Sequence, residues 1–384
     1  MSTLDTNEPP EFQLYNGSRQ YANFCRLPEL FPHRKMTASQ TPVRFAGGPS
    51  IELPETYQFE GQARKTADLI KTTDTSALLV LKDGQIRFEE YFLTGGRDVQ
   101  WISWSVAKSF VSALIGIALA ENKIASIEDA VSDYVPSLKG SGYEGVSLKH
   151  ILQMSSGVRW SEDYSDPNAE VHRLSSVMAG ETSLEDFVAG MVAECTPGTL
   201  CQYNSADTQV LGLLLTYATG KSVTDYMQEK LYEPLGMEAD GYWLTDKVGM
   251  ELTLGGLNLT ARDFAKLGEL FRCHGQVAGQ QILPADWVKE SVALKAPHLH
   301  PGQVIVGGHT FPFGYGYQWW IPDEATEEYS AIGVYNQFVY VDPARDITIV
   351  KLSANPLYGT SPDEEINKEA ETLAFLRQIA SSVE

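Results

Sequence analysis

The chain has 384 residues, 43% of them hydrophobic and 21% charged, enough to bury a sizeable core and too many for one small compact unit. Its 50 acidic and 29 basic residues give a formal net charge of −21, which repels phosphate backbones and anionic lipid and so argues against nucleic-acid binding. The longest apolar run, Ala113 to Ala120, falls far short of the roughly 20 residues that cross a bilayer, so no membrane association is expected.

The first ten residues lack the basic and apolar regions of a secretory signal, from which a cytoplasmic location is expected. Residues 1–60 carry Pro9, Pro10, Pro28, Pro32, Pro42, Pro49 and Pro54 with little periodicity, and are predicted to form an arm packed on the body. Cys25, Cys195, Cys201 and Cys273 show neither C-x-x-C spacing nor disulfide-scaffold density, and are read as buried free thiols rather than a zinc cluster.

Ser76 to Phe92 contains two β-rich runs meeting at Asp83-Gly84, a dipeptide that tolerates the positive φ of a tight hairpin. Trp104 to Glu121 is apolar nearly all round, with Lys108 its only charge before the last residue, and predicts a helix buried on every face. Between 123 and 260, helical spacing recurs in Val146–Met154, Ser183–Met191 and Ser205–Tyr217, the first two opening on a serine cap. Strands are predicted at Tyr329–Tyr340 and Asp346–Leu352, followed by a helix from about Ser361 to Ile379. Strands at both ends of a helical middle suggest a discontinuous α/β domain, 61–122 with 262–384, and a mostly helical insert, 123–261.

Several catalytic devices are absent: there is no G-x-S-x-G, no P-loop, no G-x-G-x-x-G and no H-E-x-x-H. His298 and His300 lie in a proline-flanked loop without a third ligand, so no metal and no cofactor is expected. What remains is Ser105-Val-Ala-Lys108, opening the buried helix. About one Ser-x-x-Lys is expected by chance in a chain of this length, so context must decide. Residues i and i+3 share a helix face, which lets the Lys108 amine reach the Ser105 hydroxyl. Burial lowers a lysine pKa and can make it a base near neutral pH, and a helix N-terminus favours an oxyanion. The tetrapeptide alone is equally compatible with Ser105 capping the helix and Lys108 reaching out to solvent.

Ser105-Val-Ala-Lys108-Ser-Phe resembles the nucleophile motif of the serine β-lactamase and penicillin-recognising superfamily, in particular its class C-like branch of family VIII-type esterases and 6-aminohexanoate-dimer hydrolases. Ile127–Pro136, His150–Gly157, Leu259–Gly268, Ile282–Val288 and Tyr340–Pro343 resemble stretches of that branch in order, across roughly residues 70 to 355. The fold so implied is α+β: an antiparallel sheet flanked by helices, with an inserted all-α domain. The resemblance implies a serine hydrolase in which Tyr203, in Gln202-Tyr203-Asn204-Ser205, relays a proton for Ser105 with its phenol pKa lowered by Lys108. Ser205 stands where an asparagine is usual. Backbone N–H groups of Ser105 and Val334 would form the oxyanion hole. In Ala331–Gln337, Tyr335 and Asn336 replace the His-Gly of the nylon-oligomer relatives, and no basic residue is present to hold a β-lactam carboxylate. Tyr164 falls in the loop that closes over substrate; Ser175 replaces an expected carboxylate, and Leu254 stands where a polar group can sit. Trp319-Trp320 could equally wall an acyl pocket or fill the core. The substrate implied is a small-molecule carboxylester, with a linear amide of the aminohexanoate type as the alternative and a non-catalytic penicillin-binding-like sensor as a second. A homodimer is left open.

Overall fold

A computed structural model of the chain describes residues 19–383. The start of the proline-rich arm, residues 1–18, lies outside the described residues.

The hairpin read at Asp83-Gly84 forms the heart of the main sheet: Thr75–Lys82 pairs antiparallel with Gln85–Tyr91, and Asp83 (φ 52°) and Gly84 (φ 70°) both take the left-handed conformation that a two-residue turn requires. Around it runs an eight-stranded sheet. Its order is Gly314–Tyr315, Trp320–Ile321, Tyr329–Gly333, Gln337–Asp342, Ile347–Ser353, Thr75–Lys82, Gln85–Tyr91 and Ala46–Gly47. Every pairing is antiparallel except the last, where Ala46–Gly47 runs parallel to Gln85–Ile86. The central strands are buried along their length, so they read as continuous apolar runs rather than alternating ones. One face is covered by the helix Ala261–Arg272, the other by the C-terminal helix Glu369–Ser382.

The all-apolar segment forms a 3-10 turn, Trp104–Val106, leading into the helix Ala107–Ala120, buried on all sides as predicted. It packs against Ser205–Thr219, a second buried helix that ends at Gly220 in the left-handed conformation. The serine caps are present: Ser147 Oγ accepts from the His150 N–H and Ser183 Oγ from the Asp186 N–H, opening the short helices Leu148–Leu152 and Leu184–Ala189.

His33–Met36 of the arm pairs with Gly241–Leu244 in a four-stranded sheet completed by Leu257–Leu259 and Trp101–Ile102, and three expectations change. Two of those strands lie inside the middle segment, which is therefore mostly helical but not all-α. The predicted final helix is two, Glu364–Asn367 and Glu369–Ser382, broken at Lys368, whose φ of 55° no helix continues through. All four cysteines are free, but only Cys201 is buried. Among the described residues no helix is long and apolar enough to cross a membrane.

Lys351, in the centre of the sheet, is wholly buried, and among the described residues its amine is held by the hydroxyls of Thr73 and Ser353, at 3.0 and 2.5 Å. Without an anion beside it, burial pushes its pKa down to about 7. Between about 7 and 10.5 the unfolded chain binds a proton here that the folded chain refuses, so this group makes stability rise with pH across that window. Guanidinium unfolding of wild type and Lys351→Met is expected to show the variant as the more stable at pH 7.5, with the gap closing by pH 9.5; a gap independent of pH would mean that the amine stays charged in the fold.

Candidate active site

Ser105 sits at the junction of three elements. Ser105 is nearly buried in the 3-10 turn, one turn ahead of Lys108, which is 1% exposed. Lys108 Nζ lies 2.8 Å from Ser105 Oγ and donates to the Leu254 carbonyl at 2.7 Å. The helix face that the sequence suggested is thus used, and the reading in which Lys108 escapes to solvent is excluded. Burial lowers the lysine pKa to about 8, opposed by the negative charge of Glu162. As an ammonium it donates to both oxygens; once neutral, it can keep an N–H for Leu254 and turn its lone pair to Ser105.

Leu254 therefore contributes its backbone oxygen, and its side chain stays apolar and buried. That carbonyl is fixed from the helix Ser205–Thr219. Gln209 accepts from the Thr253 N–H at 3.0 Å and donates to the Glu251 carbonyl at 2.9 Å, while the Thr253 hydroxyl donates to the Thr208 carbonyl at 3.1 Å.

Tyr203 immediately precedes the same helix, and Asn204 caps it by accepting from the Ala206 N–H at 2.9 Å. The Tyr203 N–H donates to the Ile305 carbonyl at 2.8 Å, its ring stacks on Trp320 at 5.1 Å, and it lines the same pocket as Ser105. The expectation that Lys108 lowers its pKa is overturned. Burial, reinforced by Glu162, pushes the phenol well above its ordinary value, and the interaction with Ser105 offsets this only in part. The Lys108 ammonium lies 5.2 Å from the ring centroid, against the ring face. Burial thus favours the neutral form of the Tyr203 phenol.

The strand Tyr329–Gly333 supplies the third side. A Cβ on Gly333 would stand 2.6 Å from the Ser103 carbonyl oxygen and 3.0 Å from the Ser105 nitrogen, so only glycine lets this strand approach the nucleophile turn. Val334, which follows, lines the pocket beside Ser105. The turn after it places Tyr335 (φ 64°) and Asn336 (φ 67°) in the left-handed region, and neither side chain faces the pocket. Tyr335 packs on Phe24, Trp104 and Tyr358, with ring centroids 5.2 to 5.5 Å apart. Asn336 is fully buried and donates to the Asn367 and Lys368 carbonyls at 2.7 and 3.2 Å, oxygens left open by the break in the C-terminal helix.

Other substrate-binding expectations divide. Tyr164 lines the pocket, with its hydroxyl donated to Glu162 at 2.8 Å. Ser205 is buried just behind and donates to the same carboxylate at 2.6 Å. Ser175 lies on the surface, bonded to the His172 carbonyl, outside the pocket. Trp319 is also misplaced by the sequence reading: it is a core residue between Phe271 and Tyr329, because alternation along the chain turns Trp320, not Trp319, to the pocket.

Residue-by-residue reading missed the two pocket carboxylates. Glu162 accepts from Trp160 Nε1, the Tyr164 and Ser205 hydroxyls, and the Ser205 N–H at 3.3 Å. It ties the loop to a helix N-terminus, where a negative charge is favourable. Glu369 enters from the opposite end of the chain and accepts from the Tyr358 hydroxyl at 2.6 Å. Val306, Phe311, Trp320 and Ile332 make the apolar wall.

An antiparallel sheet flanked by helices, with a serine held by a buried lysine and a tyrosine in one pocket, defines a serine hydrolase. The chain belongs to the beta-lactamase family, whose model matches residues 67–373. It is 28% identical over 344 residues to a 6-aminohexanoate-dimer hydrolase of Paenarthrobacter ureafaciens, covering 87% of this chain and 85% of the relative. A solved structure from Bacillus anthracis, described as a 6-aminohexanoate-dimer hydrolase, superposes with a TM-score of 0.86 at 25% identity and covers 99% of this chain and 98% of the other. A family VIII carboxylesterase shares the fold at a TM-score of 0.63 and 13% identity, covering 83% of this chain and 95% of the other.

The close approach at Gly333 gives a test of the assembled geometry. Gly333→Ala is expected to cut kcat on an activated ester by roughly a hundredfold to a thousandfold, the range for displacing one transition-state hydrogen-bond donor, with a smaller change in KM. Steady-state kinetics alongside a melting curve checks it; unchanged kcat would show that the strand and the nucleophile turn can separate without consequence.

Proposed function

We propose that the chain hydrolyses carboxylesters, and linear amides at a lower rate, through an acyl-enzyme on Ser105. The observation that carries this reading is the buried Ser105–Lys108–Tyr203 contact at the base of a pocket whose lining holds an apolar wall and no lysine or arginine. Such a pocket gives no partner to the carboxylate of a β-lactam and offers apolar contacts to the acyl chain of a small-molecule ester.

In this reading Ser105 Oγ bonds to the substrate carbonyl carbon while its proton passes to the neutral Lys108 amine. The carbonyl electrons move onto oxygen, where the Ser105 and Val334 N–H groups receive them. As the tetrahedral species collapses, the bond to the leaving group breaks and the leaving atom takes a proton from Tyr203, which Lys108 restores. Water then repeats the sequence in reverse roles and frees the acid. The raised phenol pKa suits Tyr203 to this part, since it passes a proton without storing a charge. No cofactor takes part. An alkoxide or phenolate departs with less help than an amine, which places esters first. Aminohexanoate-type amides are the second reading, favoured by the likeness to the Paenarthrobacter enzyme over most of both chains and by Tyr164 at the pocket.

Because the neutral amine is the base, kcat/KM for p-nitrophenyl butyrate is expected to rise with pH and level off above about 8. Stopped-flow traces should show a burst equal to the enzyme concentration followed by turnover, with mass spectrometry locating the acyl group on Ser105. Ser105→Ala and Lys108→Ala should each lose roughly a thousandfold or more. A burst without turnover would instead identify a ligand sensor, and activity surviving in Ser105→Ala would place the chemistry elsewhere.

A further inference from the structure

The pocket above Ser105 has an unusual composition for a site meant only for neutral acyl chains. Two carboxylates, Glu162 and Glu369, border it together with the rings of Tyr164, Tyr203, Trp320 and Tyr358. Glu162 is fully committed: four donors from the protein fill its two oxygens. Glu369 differs. Its hydrogen-bond donor from another side chain is Tyr358, at 2.6 Å, and its neighbour in sequence, Lys368, turns away to Glu371 at 2.8 Å. A half-buried carboxylate at the border of a pocket lined by aromatic rings, with no cation beside it among the described residues, is the complement of an organic cation, since the π-systems and the carboxylate both carry negative potential.

The backbone is built to deliver this group. The break at Lys368 ends one helix and starts another, and the carbonyls it frees are taken by buried amides: Asn336 binds those of Asn367 and Lys368, and Asn355 that of Ile366 at 2.9 Å. Asn336, in the turn that follows Val334, therefore holds Glu369 at the site from behind.

We propose that Glu369 is a specificity-determining residue that makes this pocket select ester or amide substrates carrying an alkylated or quaternary ammonium group, with Tyr164, Trp320 and Tyr358 as its aromatic walls and carboxylate-bearing acyl chains excluded. The inference rests on the Ser105 hydrolase reading. With no cation present, burial pushes the Glu369 carboxyl up to about 8, so the empty site is largely neutral near pH 7 and tolerates uncharged esters. The titratable groups that face it are Tyr358 and Tyr203, Glu364 from the preceding helix, and Glu162 and Tyr164 across the pocket. An ammonium entering the site ionises Glu369 and releases its proton.

The test uses three p-nitrophenyl esters of similar shape: 4-(trimethylammonio)butanoate, the uncharged 5,5-dimethylhexanoate and the anionic monoester of glutaric acid. At pH 7.5 kcat/KM is expected to be at least tenfold higher for the cationic than for the uncharged ester, with the anionic ester slowest. Glu369→Gln should reduce the cationic-to-neutral ratio at least tenfold, and Glu369→Asp, which keeps the charge, should restore part of it. Calorimetric titration of pentyltrimethylammonium separates this from the chemistry: binding is expected in wild type and in Ser105→Ala alike, tightening from pH 7 to 9, and at least tenfold weaker in Glu369→Gln. A ratio of one or less in wild type, or a ratio and affinity unmoved in a folded Glu369→Gln, overturns the proposal while leaving the hydrolase reading intact. Ester turnover persisting in Ser105→Ala overturns the hydrolase reading itself.

Discussion

Removing the Lys108 amine from water is the constraint around which this molecule is organised. A buried ammonium without partners is costly by far more than a folded protein's net stability allows, so the chain must either neutralise it or surround it with acceptors. It does both in part. Ser105 and the Leu254 carbonyl accept from it, Glu162 supplies a negative charge within range, and desolvation still leaves its pKa near the pH at which a base is useful. The same burial that makes the lysine reactive forces its surroundings to be rigid, because each acceptor must be held in place by something else.

The helix Ser205–Thr219 does most of that holding. Its first turns fix Tyr203 and Ser205 on one side of the pocket, and its next residues, Thr208 and Gln209, clamp the segment carrying the Leu254 carbonyl. A single rigid element thus positions both the carbonyl that holds Lys108 and the start of the segment carrying Tyr203, so the two cannot drift independently. Glu162 joins this helix to the loop over the pocket, and Phe24, from the N-terminal segment, packs edge-on against Trp101, Trp104 and Tyr335 behind the nucleophile. The segment with the least internal periodicity therefore buttresses Trp104, whose φ of 43° precedes the nucleophile. Strained backbone of this kind persists only where its surroundings over-determine it.

The turn Val334–Tyr335–Asn336 serves two ends with one conformation. Its approach to Ser105 depends on the absent side chain of Gly333, and its two left-handed residues send their side chains away from substrate, one into an aromatic cluster and the other to the broken C-terminal helix. With Tyr335 and Asn336 at these positions, the turn braces a distant element that itself reaches the pocket.

What the sequence by itself determined were features set by local rules. The Asp83-Gly84 hairpin, the serine caps and the all-apolar helix follow from turn chemistry, capping and periodicity, and the Ser105–Lys108 pairing follows from helix spacing. The order of motifs carried the family and the position of Tyr203. Only tertiary structure decided the rest, because it depends on groups far apart in the chain. No local pattern reveals that Leu254 acts through its carbonyl, that Tyr203 is raised rather than lowered by its burial, or that Trp320 rather than Trp319 turns inward. Nor could spacing show that Glu369, 264 residues beyond Ser105 by subtraction of their numbers, closes the same pocket. Burial and electrostatic environment are sums over whatever the fold brings near, and that sum does not exist until the chain has folded.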